Sequence, residues 1–185
     1  MFNALRRSPY GQCSIPKAIG INVQIKCLLF ALVFFISCKE ETKSQSIAKW
    51  KIGELERYIA DSDTPTIVNF WATYCVPCLK EIPYFEEAVK KYKNKGIKLL
   101  LVSLDFKEAY PEKVSEFVDK RKFTSQVVWL DETNADYFCP KIDSTWSGVM
   151  PATLFINNRT STRSFFEEEM SKEKFEEELK KICAD

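Results

Sequence analysis

Residues 66–78 read Thr66-Ile67-Val68-Asn69-Phe70-Trp71-Ala72-Thr73-Tyr74-Cys75-Val76-Pro77-Cys78. The first half of this segment is apolar and rich in β-branched residues, which is typical of a strand buried on both faces. The two cysteines follow at a spacing that lets their sulfurs form a small, reversible disulfide where a strand turns into a helix. The segment therefore predicts a buried strand that leads directly into a redox-active dithiol.

The sequence after the dithiol predicts an α/β domain. Helical spacing of apolar residues continues over residues 76–95, with Gly96 placed to end the helix and Pro83 expected to kink it. A second apolar run at residues 97–104 predicts another buried strand, so that the two strands and their helix form a right-handed parallel unit.

Further elements are expected on both sides of this unit, without an internal repeat or a second domain. They are a short helix within residues 47–59, a helix opened by Pro111, a strand at 126–130, an irregular stretch to Val149, a hairpin of residues 152–156 and 162–166, and a closing helix at 171–183.

Composition limits the function classes. The 185 residues and the 45% hydrophobic fraction fit one domain with appendages. The 27 basic and 26 acidic side chains nearly cancel, which argues against nucleic acid as a partner. Histidine is absent, so Ser-His and Cys-His nucleophile pairs and His-ligated zinc are excluded. We expect neither a metal nor another cofactor; an inert disulfide or half of a zinc site is the alternative interpretation of the cysteine pair.

The N-terminal part resembles an export and anchoring segment. Lys26 precedes the apolar run of residues 27–37, which is too short to span a bilayer and has the length of a signal-peptide core. Ser37 and Cys38, followed by a polar stretch, resemble a bacterial lipoprotein box in which the cysteine is lipidated and becomes the first residue. An ordinary cleaved signal and an uncleaved anchor are the alternatives, and all three would export the domain.

The chain is therefore expected to have three regions. Residues 1–37 are predicted to be a signal peptide, residues 38–46 a lipidated linker, and residues 47–185 the folded domain. Two prolines, two glycines and a cysteine precede Lys26, which is unusual for a signal peptide. We therefore expect translation to start later than Met1.

Two motifs in this order resemble the TlpA-like or ResA-like branch of the thioredoxin family. They are Val68-Asn69-Phe70-Trp71-Ala72-Thr73-Tyr74-Cys75-Val76-Pro77-Cys78-Leu79-Lys80-Glu81-Ile82-Pro83 and Met150-Pro151-Ala152-Thr153-Leu154-Phe155-Ile156. The resemblance covers residues 47–185. It implies an α/β thioredoxin fold, in which helices flank a central mixed sheet, with an N-terminal helical extension and an inserted helix and strand before the cis-proline hairpin.

Cys75 is the expected nucleophile of the dithiol. A thiolate at a helix N-terminus is stabilised by free backbone N–H groups and by the helix dipole, which together lower the pKa of the thiol. Cys78, one turn into the helix, is expected to be less exposed and to attack the mixed disulfide that Cys75 forms with a substrate. It is therefore the expected resolving thiol.

Glu81 matches the acidic residue that this branch of the family has beneath the cysteine pair. The resemblance implies that Glu81 is a general base, because a carboxylate on the inward side is hard to ionise and can take the proton from Cys78. Asn69 stands where thioredoxin itself has a buried aspartate, so proton handling is expected to differ from that of thioredoxin. An ordinary solvated glutamate is the alternative.

Pro151 matches the cis-proline of the family, which lies against the disulfide. The resemblance implies that the backbone of Met150 is left to pair with an extended substrate chain. Trp71 and Tyr74 are expected to pack around the sulfurs and to contact partners, and Tyr74 departs from the tryptophan that the family usually has there. The alternatives are a trans proline that merely starts a strand and a core role for Trp71.

Cys139 and Cys183 lie outside the family pattern. They could pair with each other, form a second redox relay or remain buried thiols, and the sequence leaves these three possibilities open.

Together these features predict an extracytoplasmic, lipid-anchored thiol-disulfide oxidoreductase that faces the periplasm or the cell surface and reduces protein disulfides. The reductase direction rests on the absence of histidine between the cysteines and on similarity to tethered reductases. The expected partners are protein disulfide or dithiol substrates and a membrane thiol electron donor, and the chain is expected to be a monomer.

Two other functions remain as alternatives. A peroxiredoxin-like thiol peroxidase would need threonine or serine three residues before its cysteine, and Cys75 fills that place before Cys78. A non-catalytic, membrane-tethered binding module would use the same fold only to present a surface.

Overall fold

The computed structural model of the chain describes residues 46–184. The predicted signal peptide, the predicted lipidation site at Cys38 and the predicted later translation start lie outside these residues. Within residues 46–184, no helix has both the length and the apolar character needed to cross a lipid bilayer.

Strands and helices alternate along the described residues, except that the last two strands follow each other as a hairpin. The strands are β1 (Ala48–Trp50), β2 (Thr66–Trp71), β3 (Lys98–Ser103), β4 (Gln126–Leu130), β5 (Ala152–Asn157) and β6 (Thr162–Phe166). The α-helices are α1 (Ile52–Ala60), α2 (Val76–Lys91), α3 (Glu112–Arg121), α4 (Ala135–Ile142) and α5 (Lys172–Cys183).

The six strands form one mixed sheet in the order β1-β4-β3-β2-β5-β6. β1, β4, β3 and β2 run parallel, whereas β5 is antiparallel to β2 and to β6. The register aligns Trp71 at the end of β2 with Ser103 at the end of β3. The loops that follow these two strands therefore leave the sheet at the same edge, and one of them contains the cysteines.

Side chains alternate across the sheet and form two hydrophobic cores. Ile67 and Phe155 face the core that includes residues of α2, α3 and α5. Val68 and Leu154 face the opposite core, which includes residues of α1 and α4. All of β2 is buried, as predicted for a central strand, because each of its faces is covered by helices.

Two elements differ from the expectation drawn from the sequence. Residues 48–50 form β1 rather than the beginning of a helix, because they pair in parallel with β4. Helix α4 lies in the stretch expected to be irregular. Pro140 stands inside this helix, and burial of Phe138 and Ile142 offsets the unfavourable local propensity.

Helix α2 ends close to its predicted boundary. It runs through Pro83 to Lys91, and the short 3-10 turn Lys93–Lys95 follows. Gly96 then takes the left-handed conformation with φ of 69°, which glycine adopts without steric cost.

Candidate active site

The two cysteines of the dithiol form a disulfide at the start of α2. Cys75 is the N-cap residue of the helix, and its Cα atom lies 5.3 Å from that of Cys78. The backbone N–H of Cys78 points at Cys75 Sγ across 3.4 Å. Cys75 is 8% exposed, whereas Cys78 is fully buried. A partner can therefore approach Cys75 only, and the helix N-terminus would stabilise a thiolate there.

Asp105 holds the loop that leads to Cys75. Its carboxylate accepts hydrogen bonds from the backbone N–H of Thr73 at 3.1 Å, from Thr73 Oγ1 at 2.5 Å and from Ser103 Oγ at 2.8 Å. The sequence analysis missed this residue. The available signal was its place directly after a strand parallel to β2, because the carboxyl ends of adjacent parallel strands meet at one edge of a sheet.

Glu81 is fully buried one turn after Cys78, and its partner Met170 belongs to the core that contains the disulfide. Glu81 Oε1 accepts from Asn69 Nδ2 at 2.8 Å, and Oε2 accepts from the backbone N–H of Met170 at 3.1 Å. Burial raises the pKa of Glu81 to about 7, although both hydrogen bonds oppose the increase. The carboxyl group can therefore gain or lose a proton near neutral pH, as a general base must.

Asn69, on β2, connects the carboxyl group of Glu81 to Thr153 on β5. Its Nδ2 group donates both to Glu81 and to Thr153 Oγ1, the latter at 3.0 Å. Asn69 Oδ1 is buried and has no hydrogen-bond partner within residues 46–184. Both protons of the Asn69 amide are thus donated to acceptors. The bond to Glu81 favours the charged form of its carboxyl group.

The peptide bond between Met150 and Pro151 is cis, as the family resemblance implied. Phe70 on β2 pairs with Ala152 on β5, so the antiparallel register places Pro151 beside Trp71, immediately before the dithiol loop. Met150 is half-buried and packs against the core that contains both cysteines. The structure therefore brings the cis-proline segment to the dithiol end of β2.

Exposed apolar side chains surround this end of the molecule. Tyr74 is 52% exposed and its ring stacks on that of Phe106, which is 70% exposed. Val76 and Val149 are also exposed.

A groove of about 460 Å³ lies at the same end of the molecule and is lined by Phe106, Trp129, Phe138 and Met150, among others. Tyr74 is thus open to solvent, and its predicted contact with partners stays a prediction. Phe106 is an aromatic neighbour that sequence reasoning did not identify.

Trp71 has the core role that was the alternative to contact with a partner. Its side chain is fully buried and packs against the rings of Phe117 and Phe123. It therefore supports the dithiol end of β2 from within, and no part of it is accessible to a partner in this form of the protein.

Cys139 and Cys183 pack into different cores on opposite faces of the sheet. This separation excludes a disulfide between them. Burial raises the pKa of Cys139 to about 11, and the negative charges of Glu167 and Asp136 add to this effect. Cys139 therefore remains a thiol at neutral pH, which favours the buried-thiol interpretation over a redox relay.

The chain is similar to a known protein family and to several named proteins. The model of the AhpC/TSA family matches residues 36–163. A protein named thiol-disulfide oxidoreductase ResA from Oceanobacillus iheyensis is 38% identical over 90 residues, covering 49% of this chain and 42% of that protein. A protein of the same name from Bacillus cereus is 33% identical over 116 residues, covering 62% of this chain and 61% of that protein. The matches thus span between about two fifths and three fifths of these relatives.

The solved structures confirm the predicted fold. The thioredoxin-related protein from Neisseria meningitidis serogroup B superimposes with a TM-score of 0.53 at 23% identity. The superposition covers 66% of this chain and 84% of that one. At this identity the likeness concerns the fold, which is the thioredoxin fold.

Proposed function

The chain belongs to the AhpC/TSA family, and we propose that it is a thiol-disulfide oxidoreductase that reduces disulfides in proteins through Cys75 and Cys78. The observation that carries this proposal is a disulfide at a helix N-terminus, in which Cys75 is 8% exposed and Cys78 fully buried, followed one turn later by a buried carboxyl group of raised pKa. The ResA names of the relatives support it.

The reaction begins with the reduced dithiol. The Cys75 thiolate attacks one sulfur of a substrate disulfide, which forms a mixed disulfide and releases the other substrate sulfur as a thiolate. Glu81 accepts the proton of the Cys78 thiol, directly or through water. The Cys78 thiolate then attacks Cys75 Sγ, which releases the second substrate thiolate. Two electrons pass to the substrate, and the protein is left with the Cys75–Cys78 disulfide.

Cys38 would hold this domain at a membrane outside the cytoplasm. The support is the sequence pattern of an apolar run, a small residue, a cysteine and a polar linker. A membrane thiol donor would then return two electrons to the disulfide after each turnover. The expected location is the periplasmic side of a bacterial membrane or the cell surface, and the expected state is a monomer.

Trapping of mixed disulfides tests the proposed chemistry. Cys78→Ser protein should retain substrate proteins on Cys75 as adducts that thiol reductants release, because the resolving sulfur is missing. The matched control is the Cys75→Ser, Cys78→Ser double variant, which should retain none. If the two variants retain equal amounts, or if reduced wild-type protein fails to reduce insulin disulfides, the oxidoreductase proposal is wrong and the binding-module alternative gains support. Peroxide consumption by Cys75→Ser protein would instead favour a thiol peroxidase.

Two further measurements test the direction of electron transfer and the membrane location of the protein. A reduction potential in the range of strongly oxidising disulfide-forming catalysts would contradict the reductase direction. Wild-type protein expressed in its host should partition into the detergent phase, and Cys38→Ser protein should not, because it lacks the acceptor for the lipid. Equal partitioning of the two would contradict the lipid anchor.

A further inference from the structure

Glu167 binds the loop that carries the cis-proline. It follows the last residue of β6, and its carboxylate accepts hydrogen bonds from three groups of the loop before Pro151. The backbone N–H of Ser147 lies 3.1 Å from each carboxylate oxygen, Ser147 Oγ lies 2.5 Å from Oε1, and the backbone N–H of Val149 lies 2.8 Å from Oε1.

The same loop is held from two other sides. Trp146 Nε1 donates to the backbone carbonyl of Val149 at 3.0 Å. Gly148 has φ of 95°, and a Cβ atom at this position would lie 3.5 Å from Ala135 Cβ and 3.7 Å from Cys139 Sγ, both on α4. The loop is therefore seated against α4 and fixed at its polar groups by Trp146 and Glu167.

These contacts leave one residue with unused backbone groups. The N–H of Val149 is occupied by Glu167, and its carbonyl is occupied by Trp146. Within residues 46–184, the backbone N–H and carbonyl of Met150 have no hydrogen-bond partner. Met150 is half-buried beside the dithiol end of β2. Such free groups next to a sheet can pair with an added extended chain.

We propose that Glu167 is a positioning residue for protein substrates, whose carboxylate fixes residues 147–149 so that the free backbone groups of Met150 are presented to an extended segment of the substrate. This inference rests on the proposed oxidoreductase function. Glu167 touches neither the sulfurs nor the substrate and acts only through the loop.

A carboxylate suits this task better than an amide. All three contacts are donated to it, and hydrogen bonds to a charged acceptor are roughly twice as strong as neutral ones. Burial alone would raise the pKa of Glu167, but the hydrogen bonds from Ser147 and Val149 outweigh it and keep the pKa below its ordinary value. In a Glu167→Gln variant, an NH2 group replaces one carboxylate oxygen. Because this group cannot accept a hydrogen bond, it repels an N–H or O–H group of the loop that donates to the oxygen in the wild type.

The test compares one variant pair on two kinds of substrate. Glu167→Gln is the test variant, and Glu168→Gln is the matched control, because Glu168 loses the same charge one residue away, where its partner is the surface residue Lys174. The reduced proteins react with insulin, a protein disulfide, and with 5,5′-dithiobis(2-nitrobenzoate), a small disulfide that needs no backbone pairing. Kinetics are measured for both substrates, together with amide hydrogen exchange of residues 147–150.

The proposal predicts a selective loss. Glu167→Gln should lower kcat/KM for insulin at least about tenfold, mainly through KM, since hydrogen bonds to a charged group are lost. Its rate with the small disulfide should stay within about twofold of wild type, because the sulfurs and the start of α2 are unchanged. The Val149 amide should exchange faster, and Glu168→Gln should behave as wild type in every assay.

Three results would overturn the proposal: equal losses with both substrates, which would indicate a general structural role; no loss with either; or unchanged exchange at Val149. If wild-type protein reduces neither substrate, the oxidoreductase function itself fails, and the exchange experiment still decides whether Glu167 holds the loop. If Glu167→Gln protein does not fold, Ser147→Ala provides the same comparison. It removes only the hydroxyl contact, and a smaller insulin-selective loss is then expected, whereas no selectivity would count against the proposal.

Discussion

Glu81 is a buried carboxyl group whose two oxygens are each hydrogen-bonded, to Asn69 and to the backbone of Met170. Burial penalises its charge, and these two donors only partly compensate for that penalty. The residue therefore costs folding stability when ionised. The proposed proton transfer to and from Cys78 would give this carboxyl group a use that an apolar residue could not provide.

The stability of the oxidised protein should depend on pH through Glu81. Its folded-state pKa of about 7 exceeds the ordinary value of 4.5, so the folded protein holds the proton more tightly than the unfolded chain. The stabilisation is complete below about pH 4.5 and is lost as the pH rises through about 7, to an extent of at most about 3 kcal/mol. In urea denaturation, Glu81→Gln should lack this fall, whereas the exposed Glu87→Gln control should keep it. A persistent fall in Glu81→Gln would assign the effect to another group.

Resolution of the mixed disulfide should also follow the protonation of Glu81. The rate with wild-type protein should rise through about pH 7, because the charged carboxylate accepts the proton of Cys78. Glu81→Gln should lose this inflection and react about 10²- to 10⁴-fold more slowly, the range typical of general-base catalysis. Stopped-flow measurement of substrate release after mixing reduced protein with a labelled disulfide checks this. A retained inflection would contradict the role of Glu81.

Asn69 should control the acidity of Glu81. Removing its amide in Asn69→Ala takes away a donor to the carboxylate, so the pKa of Glu81 should rise further above about 7. Thr153→Val is the matched control, because it removes the other acceptor of the same amide and leaves the bond to Glu81. Carbon NMR titration of the Glu81 carboxyl group measures both. An unchanged Glu81 titration in Asn69→Ala would show that the amide does not stabilise the charge.

Among single residues, the sequence predicts a place in the site for those that lie within a short family motif. The cysteine pair, Glu81 and the cis-proline could be assigned through the family pattern, because each has a fixed place in a short segment. Asp105 and Glu167 could not, since their roles depend on contacts with Thr73 and with residues 147–149, which are far away in sequence. Glu167 has no local pattern that distinguishes it from a surface carboxylate, and the place of Asp105 after a predicted strand indicates only the edge of the sheet at which it lies.

Among the elements, β2 and β3 determine the geometry of the site. Because they are parallel neighbours, their following loops meet, and Asp105 after β3 ties down Thr73 after β2. Trp129 Nε1 adds a bond to the backbone carbonyl of Asp105 at 2.7 Å, which joins β4 to the same edge. The start of α2 is thus attached to three successive strands rather than to β2 alone.

Loss of the Asp105 carboxylate should destabilise the protein. Asp105→Asn should reduce the free energy of unfolding by about 2 kcal/mol, because hydrogen bonds from Thr73 and Ser103 to a buried charge are weakened. Asp143→Asn is the control, since Asp143 accepts the same pair of bonds from Thr145 in an exposed loop, and it should cost less than about 1 kcal/mol. If urea denaturation gives the two variants equal losses of unfolding free energy, burial of the Asp105 hydrogen bonds is unimportant.

Element boundaries follow from local patterns wherever those patterns are long. The strands β2 to β6 and the helices α2, α3 and α5 were predictable, because apolar periodicity extends over the element and turn residues bound it. β1 is too short to show a period and exists through its pairing with β4. α4 contains Pro140, and its burial against α1 and the sheet outweighs the local signal.

On the scale of the whole molecule, exposed apolar side chains gather at the end of the sheet that carries the dithiol. Tyr74, Val76, Phe106 and Val149 are all more than half exposed. Exposed hydrophobic residues that are grouped in this way mark interaction sites. The sequence predicted only Tyr74 among them as a contact residue, because their grouping depends on how separate loops fold together.

Phe106→Ala should weaken reaction with protein substrates. Loss of the exposed ring beside Tyr74 should raise KM for insulin several-fold, because an aromatic contact contributes about 1 kcal/mol or more at an interface. Tyr137→Ala is the control, since Tyr137 is another aromatic residue that is more than half exposed and lies on α4. The small disulfide should react equally with all three proteins. An equal change in the two variants would show that the position of Phe106 beside Tyr74 has no importance.

The separation of the two cores gives the molecule a built-in optical reporter. Trp71 and Trp129 share a core with the Cys75–Cys78 disulfide, whereas Trp146 belongs to the core on the other face of the sheet and Trp50 packs against it. A disulfide quenches the fluorescence of an indole near it, and a dithiol quenches it less. Emission from the first pair should therefore change when the protein is reduced, while the second pair adds a background that changes less. The oxidation state of this protein could then be followed without a label during each reaction described above.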